Sequence, residues 1–142
     1  MAPVLVLGAG GMLGQAFVRL LGEDVRTASR ADLSITNIPA LERRIAASGA
    51  TLVINCAAHT DVDAAEADPG PALAVNALLP GIVGTACRRA DLPLVHLSST
   101  GCYGAWKDGA YTEEDAPQPT TAHHRSKLSG EAAVRESGAE HL

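Results

Sequence analysis

The chain has 142 residues, enough for one domain with a buried core, and 46% of them are hydrophobic while only 3% are aromatic. Its net charge of −5, without a basic run, disfavours nucleic acids and anionic membrane surfaces as partners. We expect no membrane span, because no apolar run approaches the required length. The cysteines number three and have no metal-like spacing, which favours reduced thiols in a cytoplasmic protein without a metal site.

The first fourteen residues predict a strand, a glycine turn and a helix. Val4–Leu7 is an apolar run of the kind that fills a buried parallel strand. Glycines then follow in the spacing GxxGxxG, at Gly8, Gly11 and Gly14, and helical spacing continues to Leu21. A phosphate can approach backbone N–H groups at a helix N-terminus only where Cβ atoms are absent. The turn therefore predicts dinucleotide binding by Gly8, Gly11, Met12 and Leu13, whereas the alternative is an ordinary tight turn between a strand and a helix.

The remaining elements alternate between strand and helix. Along the chain, the predicted strands are 24–29, 51–55 and 93–98, the predicted helices are 37–48, 71–91 and 121/122–136, and 103–120 is a long loop. Four strands separated by helices indicate an α/β fold, a Rossmann-type doubly wound parallel sheet with right-handed crossovers. We expect one domain over residues 1–142 that lacks the second half of this fold, the C-terminal substrate-binding portion.

Two segments at predicted strand ends bear on the cofactor. Ser29-Arg30 ends the second strand, and a hydroxyl beside a guanidinium suits the 2′-phosphate of NADP, whereas an acidic residue there would favour NAD. This favours NADP, with NAD possible and a solvated surface arginine as the alternative. Cys56, Ala57 and Ala58 follow the third strand, where small side chains let a cofactor lie against the backbone, although they also suit simple tight packing.

Six motifs in chain order resemble the extended short-chain dehydrogenase/reductases, in particular the dTDP-4-dehydrorhamnose reductase branch. They are GAGGMLG (8–14), NCAAHTDVDAAE (55–66), VNALLP (75–80), SST (98–100), YTEEDAPQP (111–119) and RSKLSGE (125–131). This resemblance implies an oxidoreductase of dTDP-rhamnose biosynthesis that uses NADP to reduce a 4-keto nucleotide sugar. It also implies a homodimer that pairs through the two long helices.

The resemblance assigns catalytic positions but shows departures from the family. Thr100 matches the hydroxyl that holds the substrate carbonyl, and Lys127 matches the lysine of the Tyr-x-x-x-Lys motif, which also binds the cofactor ribose. The tyrosine position holds His123 instead, and the usual Ser-Thr-Asp-Tyr run reads Ser-Thr-Gly-Cys at 99–102. Family members are also considerably longer, and their later portion forms much of the sugar site.

Three interpretations of His123 stay open. It is a substitute acid, or the acid comes from Tyr103 or Tyr111, or the reduction is weak or lost, which we favour because a misplaced general acid costs roughly 10²–10⁴-fold in rate. The chain is thus oxidoreductase-like with a degenerate Tyr-x-x-x-Lys motif. The alternatives are a non-catalytic nucleotide-binding or regulatory subunit, and a non-redox isomerase or cyclase that reuses the cleft.

Overall fold

The computed structural model describes residues 2–29 and 31–142, which form a parallel sheet flanked by helices. The strands are β1 (Val4–Leu7), β2 (Val25–Ala28), β3 (Leu52–Asn55) and β4 (Leu94–His96). The helices are α1 (Met12–Leu21), α2 (Ile38–Ala46), α3 (Val62–Ala67), α4 (Pro69–Leu73), α5 (Leu79–Arg89) and α6 (Ala122–Ser137). A π-helical turn at Ala74–Leu78 joins α4 to α5 without a break.

The sheet has the order β2-β1-β3-β4, and all its pairings are parallel. Alternate side chains of the apolar run in β1 enter different cores, Leu5 and Leu7 on one face and Val4 and Val6 on the other. Helices α2, α5 and α6 contribute to the first core, and α1 covers the second through Phe17. Helices therefore lie on both faces, which confirms the predicted doubly wound fold.

Helices α5 and α6 pack closely because small residues face each other. A Cβ atom added at Gly84 would lie 2.4 Å from Ser137 Oγ, and one added at Gly81 would lie 3.0 Å from Ala133 Cβ. The continuous helical stretch 69–89 is, among the described residues, long and apolar enough to cross a membrane, although half of it is buried inside the protein. The expectation that no apolar stretch approaches the length of a membrane span is therefore wrong for this stretch. In the structure the stretch packs against α6, as a core helix does.

The structure also corrects several predicted boundaries. Helix α3 was not predicted, because its six residues are too short to show helical periodicity. Predicted strands 24–29 and 93–98 shorten to four and three residues, and the third begins at Leu52. Residues 140–142 pair in parallel with the free side of β4, where Leu94 N donates to Glu140 O at 2.9 Å. Such long-range pairing has no signature in local sequence.

Candidate dinucleotide-binding and active site

The glycine turn after β1 is built by close backbone approach. Gly8 has φ = 76°, and a Cβ atom there would lie 2.7 Å from Ala57 N. A Cβ atom at Gly14 would lie 2.3 Å from Gly8 O. Gly11 N donates to Gly8 O at 3.0 Å and closes the turn. Side chains are thus excluded at Gly8 and Gly14 by backbone of the turn itself and of the segment after β3.

The turn leads directly into the N-terminus of α1. Gly11 is the N-cap residue and has no side chain that caps the helix. The first amides of a helix have no intrahelical partner, and the helix dipole makes this end favourable for an anion. Because Met12 and Leu13 follow this cap and are 90% and 46% exposed, their surroundings are open to a ligand. The arrangement is chemically suited to a pyrophosphate.

A cavity of about 710 Å³ extends along the carboxyl ends of the strands, from this helix end to the segment after β4. Its wall includes Gly11, Met12, Leu13, Cys56, Ala58 and Lys127, all of which the sequence indicated. Gly8 and Ala57 lie immediately behind, where they contact each other. The structure thus brings the predicted cofactor residues of the first and third strand ends to one cavity.

The segment after β3 is held in place by two asparagines. Asn55 Oδ1 accepts a hydrogen bond from Ala57 N at 3.1 Å. Asn76, in the π-helical turn, accepts from His59 N at 2.8 Å and donates to His59 O at 2.9 Å and to Ser126 Oγ at 3.0 Å. Since Asn76 is fully buried, these bonds fix the cavity wall to helices α5 and α6. The sequence places Asn76 inside the predicted helix 71–91 and does not indicate these hydrogen bonds.

Lys127 lies at the inner end of the cavity. Its side chain is buried, and its ammonium group donates to the carbonyl oxygen of Leu97, at the end of β4. Burial lowers the pKa of Lys127, an effect that the nearby Cys102, Glu131 and Cys56 oppose. Lys127 is therefore a buried hydrogen-bond donor in the cavity wall, held beside the end of β4.

His123 lines the same cavity one helical turn before Lys127. It is 8% exposed, and neither ring nitrogen makes a hydrogen bond of normal geometry to the described residues, although the His59 backbone lies beside it. Burial lowers the pKa of His123, and the neighbouring His124 and Lys127 lower it further. Both effects favour the neutral imidazole over the imidazolium ion.

The hydroxyl groups after β4 occupy different places. Ser98 and Ser99 line the cavity, whereas Thr100 is exposed at the start of a 3₁₀ turn and is not part of the cavity wall. Ser99 Oγ accepts from Gly101 N at 3.2 Å. The segment that the sequence indicated therefore reaches the cavity through Ser98 and Ser99 and not through Thr100, because the local turn decides which side chains face inward.

The end of β2 lies apart from the cavity wall. Ser29 follows β2 and is exposed, and its backbone N–H and hydroxyl both donate to Asp32 Oδ2 at 2.8 Å. The Ser29 hydroxyl that was expected to face a phosphate is thus bonded within its own turn. Arg30, the other residue of that prediction, lies outside the described residues.

Comparison with known proteins agrees with this geometry. The sequence matches the family described as "RmlD substrate binding domain" over residues 1–142. It is 39% identical over 135 residues to a dTDP-4-dehydrorhamnose reductase from Mycolicibacterium smegmatis, covering 92% of this chain and 41% of that protein. It is 35% identical over 144 residues to a probable low-salt glycan biosynthesis reductase from Haloferax volcanii, covering 92% of this chain and 48% of that protein.

Solved structures that resemble this chain include dTDP-4-dehydrorhamnose reductases. A dTDP-4-dehydrorhamnose reductase from Clostridium acetobutylicum superposes with a TM-score of 0.91 at 30% identity, covering 98% of this chain and 51% of that one. The dTDP-4-dehydrorhamnose reductase from Bacillus anthracis, crystallised with NADP, superposes with a TM-score of 0.92 at 27% identity. The match covers 99% of this chain and 51% of that one. The chain spans about half the length of the relatives it matches. The resemblance drawn from the motifs is thereby confirmed, and the chain belongs to the RmlD substrate binding domain family.

Proposed function

We propose that this chain binds NADP(H), with NAD(H) as a second ligand, in the cavity between the glycine turn and Lys127. The observation that carries the proposal is the turn itself, where a Cβ atom at Gly8 or Gly14 would collide with backbone while the cavity opens at Gly11. The NADP complex of the Bacillus anthracis relative supports the choice of dinucleotide.

Each part of the cavity has a role in this proposal. The amides at the start of α1, from Gly11 to Leu13, receive the pyrophosphate, since they form the cap and first positions of the helix. Cys56 and Ala58 form the wall beside the inner half of the dinucleotide. The Lys127 ammonium donates to a ribose hydroxyl at the inner end. When bound, the reduced nicotinamide supplies a hydride.

The substrate class we propose is a 4-keto nucleotide sugar of the dTDP type. Relatives named for reduction of such sugars, including one from Streptomyces niveus at 36% identity, support this choice. Ser98 and Ser99 line the cavity next to Lys127 and supply hydroxyl groups for a substrate carbonyl.

We further propose that reduction by this chain is weak or lost. A developing alkoxide needs a proton from a nearby acid. The His123 imidazole faces the cavity, but its pKa is lowered by burial, so the protonated form is scarce at pH 7. A neutral imidazole is a far weaker acid than an imidazolium ion. This arrangement favours binding of the dinucleotide over its use, which is the behaviour of a nucleotide-binding subunit.

Binding is tested by titrating the purified chain with NADPH and with NADH. We expect nicotinamide fluorescence and melting temperature both to change on saturation, since a ligand that binds only the folded state raises its stability. The Lys127→Met variant should bind either dinucleotide at least about tenfold more weakly, which corresponds to about 1.4 kcal/mol. Absence of any response to both dinucleotides would refute the proposal.

Loss of the acid is tested by His123→Tyr, assayed for NADPH oxidation with dTDP-4-dehydrorhamnose. We expect turnover of the wild-type chain well below ~1 s⁻¹, the lower end of ordinary enzymes, and a gain of at least about tenfold in the variant. His141→Tyr is the matched control, because His141 is exposed and does not line this cavity. Wild-type turnover of ~1 s⁻¹ or more would contradict a weakened reduction.

We also propose that two copies pair through the surface of α5 and α6. Apolar side chains are exposed beside these helices: Leu78 of the π-helical turn is 58% exposed, Leu73 of α4 is 44% exposed and Ile38 of α2 is 39% exposed. A groove of about 400 Å³ between Leu78 and Ala133 gives this surface a shape that a second copy can fill. Analytical ultracentrifugation should show a dimer that Leu78→Glu dissociates, and a monomer at all concentrations in the wild type would overturn the proposal.

A further inference from the structure

The cavity wall contains one side chain suited to accept a proton. Among the described residues that line the cavity, those that titrate are Cys56, His123 and Lys127. Burial raises the pKa of Cys56 and favours its thiol form. Lys127 is a hydrogen-bond donor, bonded to the carbonyl oxygen of Leu97. Because burial lowers the pKa of His123 and favours its neutral form, His123 is the base that the described wall offers.

The His123 imidazole has no partner that uses its lone pair. The residue is 8% exposed, and neither ring nitrogen makes a hydrogen bond of normal geometry to the described residues. The His59 backbone lies beside the ring and favours a proton on the nearer nitrogen, so the other nitrogen keeps a lone pair. The titratable groups that act on the ring are His124 and Lys127 of α6 and His59 of the segment after β3. None of these three is a carboxylate that would stabilise an imidazolium ion.

The same wall holds donors for an oxygen atom that gains negative charge. Lys127 follows His123 by one turn of α6, and its ammonium group has two N–H groups beyond the one that it gives to Leu97 O. Ser99 Oγ accepts from Gly101 N at 3.2 Å, a bond that leaves its own proton free to be donated. Lys127 and Ser99 are therefore suited to hold the oxygen of a carbonyl group as it becomes an enolate.

We propose that the chain catalyses reversible enolisation of the 4-keto nucleotide sugar, an isomerase-type reaction in which His123 is the base. The unpaired nitrogen of His123 takes the proton from C3 or C5, the carbons next to the carbonyl group. The C–H electron pair becomes the C=C bond of the enolate, and the carbonyl π electrons move to the oxygen held by Lys127 and Ser99. The imidazolium ion exchanges its proton with water and returns one to the same carbon. The ketone is restored, and nothing is oxidised or reduced.

This inference rests on the proposed substrate class and goes beyond the proposed reduction. Reduction requires a hydride and an acid, and a neutral imidazole is a poor acid. Enolisation requires neither hydride nor dinucleotide, and it uses the imidazole in the form that the cavity favours. The property of His123 that weakens reduction is thus the property that general-base catalysis needs.

The test is exchange of carbon-bound hydrogen, followed by proton NMR of dTDP-4-dehydrorhamnose in D₂O with the full 142-residue chain and no added dinucleotide. We expect the H3 or H5 signal to disappear at least about tenfold faster than in buffer alone, since a positioned base contributes roughly 10²–10⁴-fold. Saturation-transfer NMR on the same sample measures whether the sugar binds, and titration with NADPH measures dinucleotide binding separately.

Variants assign the exchange to the cavity. His123→Ala should lose the acceleration, and added imidazole should restore it, a rescue that a purely structural role would not give. His123→Gln, which fills more of the volume, should lose the acceleration equally. Lys127→Met should slow exchange at least about tenfold, because the enolate oxygen loses its charged donor. The matched control is His141→Ala, which removes an exposed imidazole outside this cavity and should exchange as fast as wild type.

The outcomes separate this inference from the proposed function. Exchange at the buffer rate by a wild-type chain that binds the sugar would overturn the inference and leave dinucleotide binding intact. Acceleration that persists in both His123→Ala and His123→Gln would overturn the role of His123. If neither the sugar nor NADPH binds, the proposed function fails, and the inference fails with it.

Discussion

Gly11 offers a direct test of the pyrophosphate cradle, because the structure separates its effect on folding from its effect on binding. Gly11 has φ = −76° and ψ = 167°, which any residue adopts. A Cβ atom there would meet only Gly8 O, at 3.4 Å, and otherwise enter open space. Since Gly11 lines the cavity, the added methyl group of Gly11→Ala stands where a phosphate would have to approach the backbone.

The expected magnitudes differ for the two properties. Replacing an N-cap glycine by alanine costs about 1 kcal/mol or less in unfolding free energy. Displacing the pyrophosphate from amides at the helix start should weaken NADPH binding at least about tenfold, or about 1.4 kcal/mol. Urea unfolding measures the first quantity, and fluorescence titration with NADPH measures the second.

Two neighbouring glycines provide controls. Gly10 is exposed, and a Cβ atom there would meet nothing within 4 Å, so Gly10→Ala should leave stability and binding unchanged. Gly14→Ala should destabilise the fold strongly, because its Cβ would lie 2.3 Å from the backbone oxygen of Gly8. A Gly11→Ala chain that is folded and binds NADPH as tightly as wild type would refute the assignment of this turn to the pyrophosphate.

Three further predictions concern the scaffold. Burial is the main reason that the pKa of His96 falls from 6.5 to about 4, so the unfolded chain binds its proton first as pH decreases. Stability should therefore fall by about 3 kcal/mol between pH 6.5 and pH 4 through His96, and urea unfolding of His96→Gln should show a correspondingly flatter pH dependence. Asn76→Ala should cost about 2–4 kcal/mol, since it leaves buried groups of the loop after β3 unpaired, and should also weaken NADPH binding; an unchanged urea midpoint would contradict this. Gly84→Val should cost about 1–3 kcal/mol because a Cβ there would lie 2.4 Å from Ser137 Oγ, and a melting temperature equal to that of Gly10→Ala would count against the close packing of α5 on α6.

The parts of the fold that the sequence predicts correctly are those with a strong local pattern. The run Val4–Leu7 and the glycines after it define β1 and the start of α1, and the predicted helix 121/122–136 corresponds to α6. The π-helical turn at Ala74–Leu78 was not predicted, because helical periodicity looks continuous across it. Its effect, to hold Asn76 against the backbone of His59, depends on two segments that are 17 residues apart.

The site shows the same division between local and long-range information. Spacing along α6 was enough to place His123 and Lys127 one turn apart, and the structure puts both in the cavity wall. Local sequence did not indicate that Asp32 would bond Ser29, because that contact depends on how the turn after β2 closes. Nor did it separate Ser99 from Thr100, since the 3₁₀ turn that follows decides which hydroxyl faces the cavity.

The most direct measurement is an amide-resolved NMR titration of the 142-residue chain with NADPH. The account predicts that the largest chemical-shift changes occur at Gly11, Met12 and Leu13 and at Cys56 and Ala58, which line the cavity together with Lys127. Saturable changes confined to other surfaces, or no change at any concentration, would contradict the claim that the turn after β1 holds the pyrophosphate.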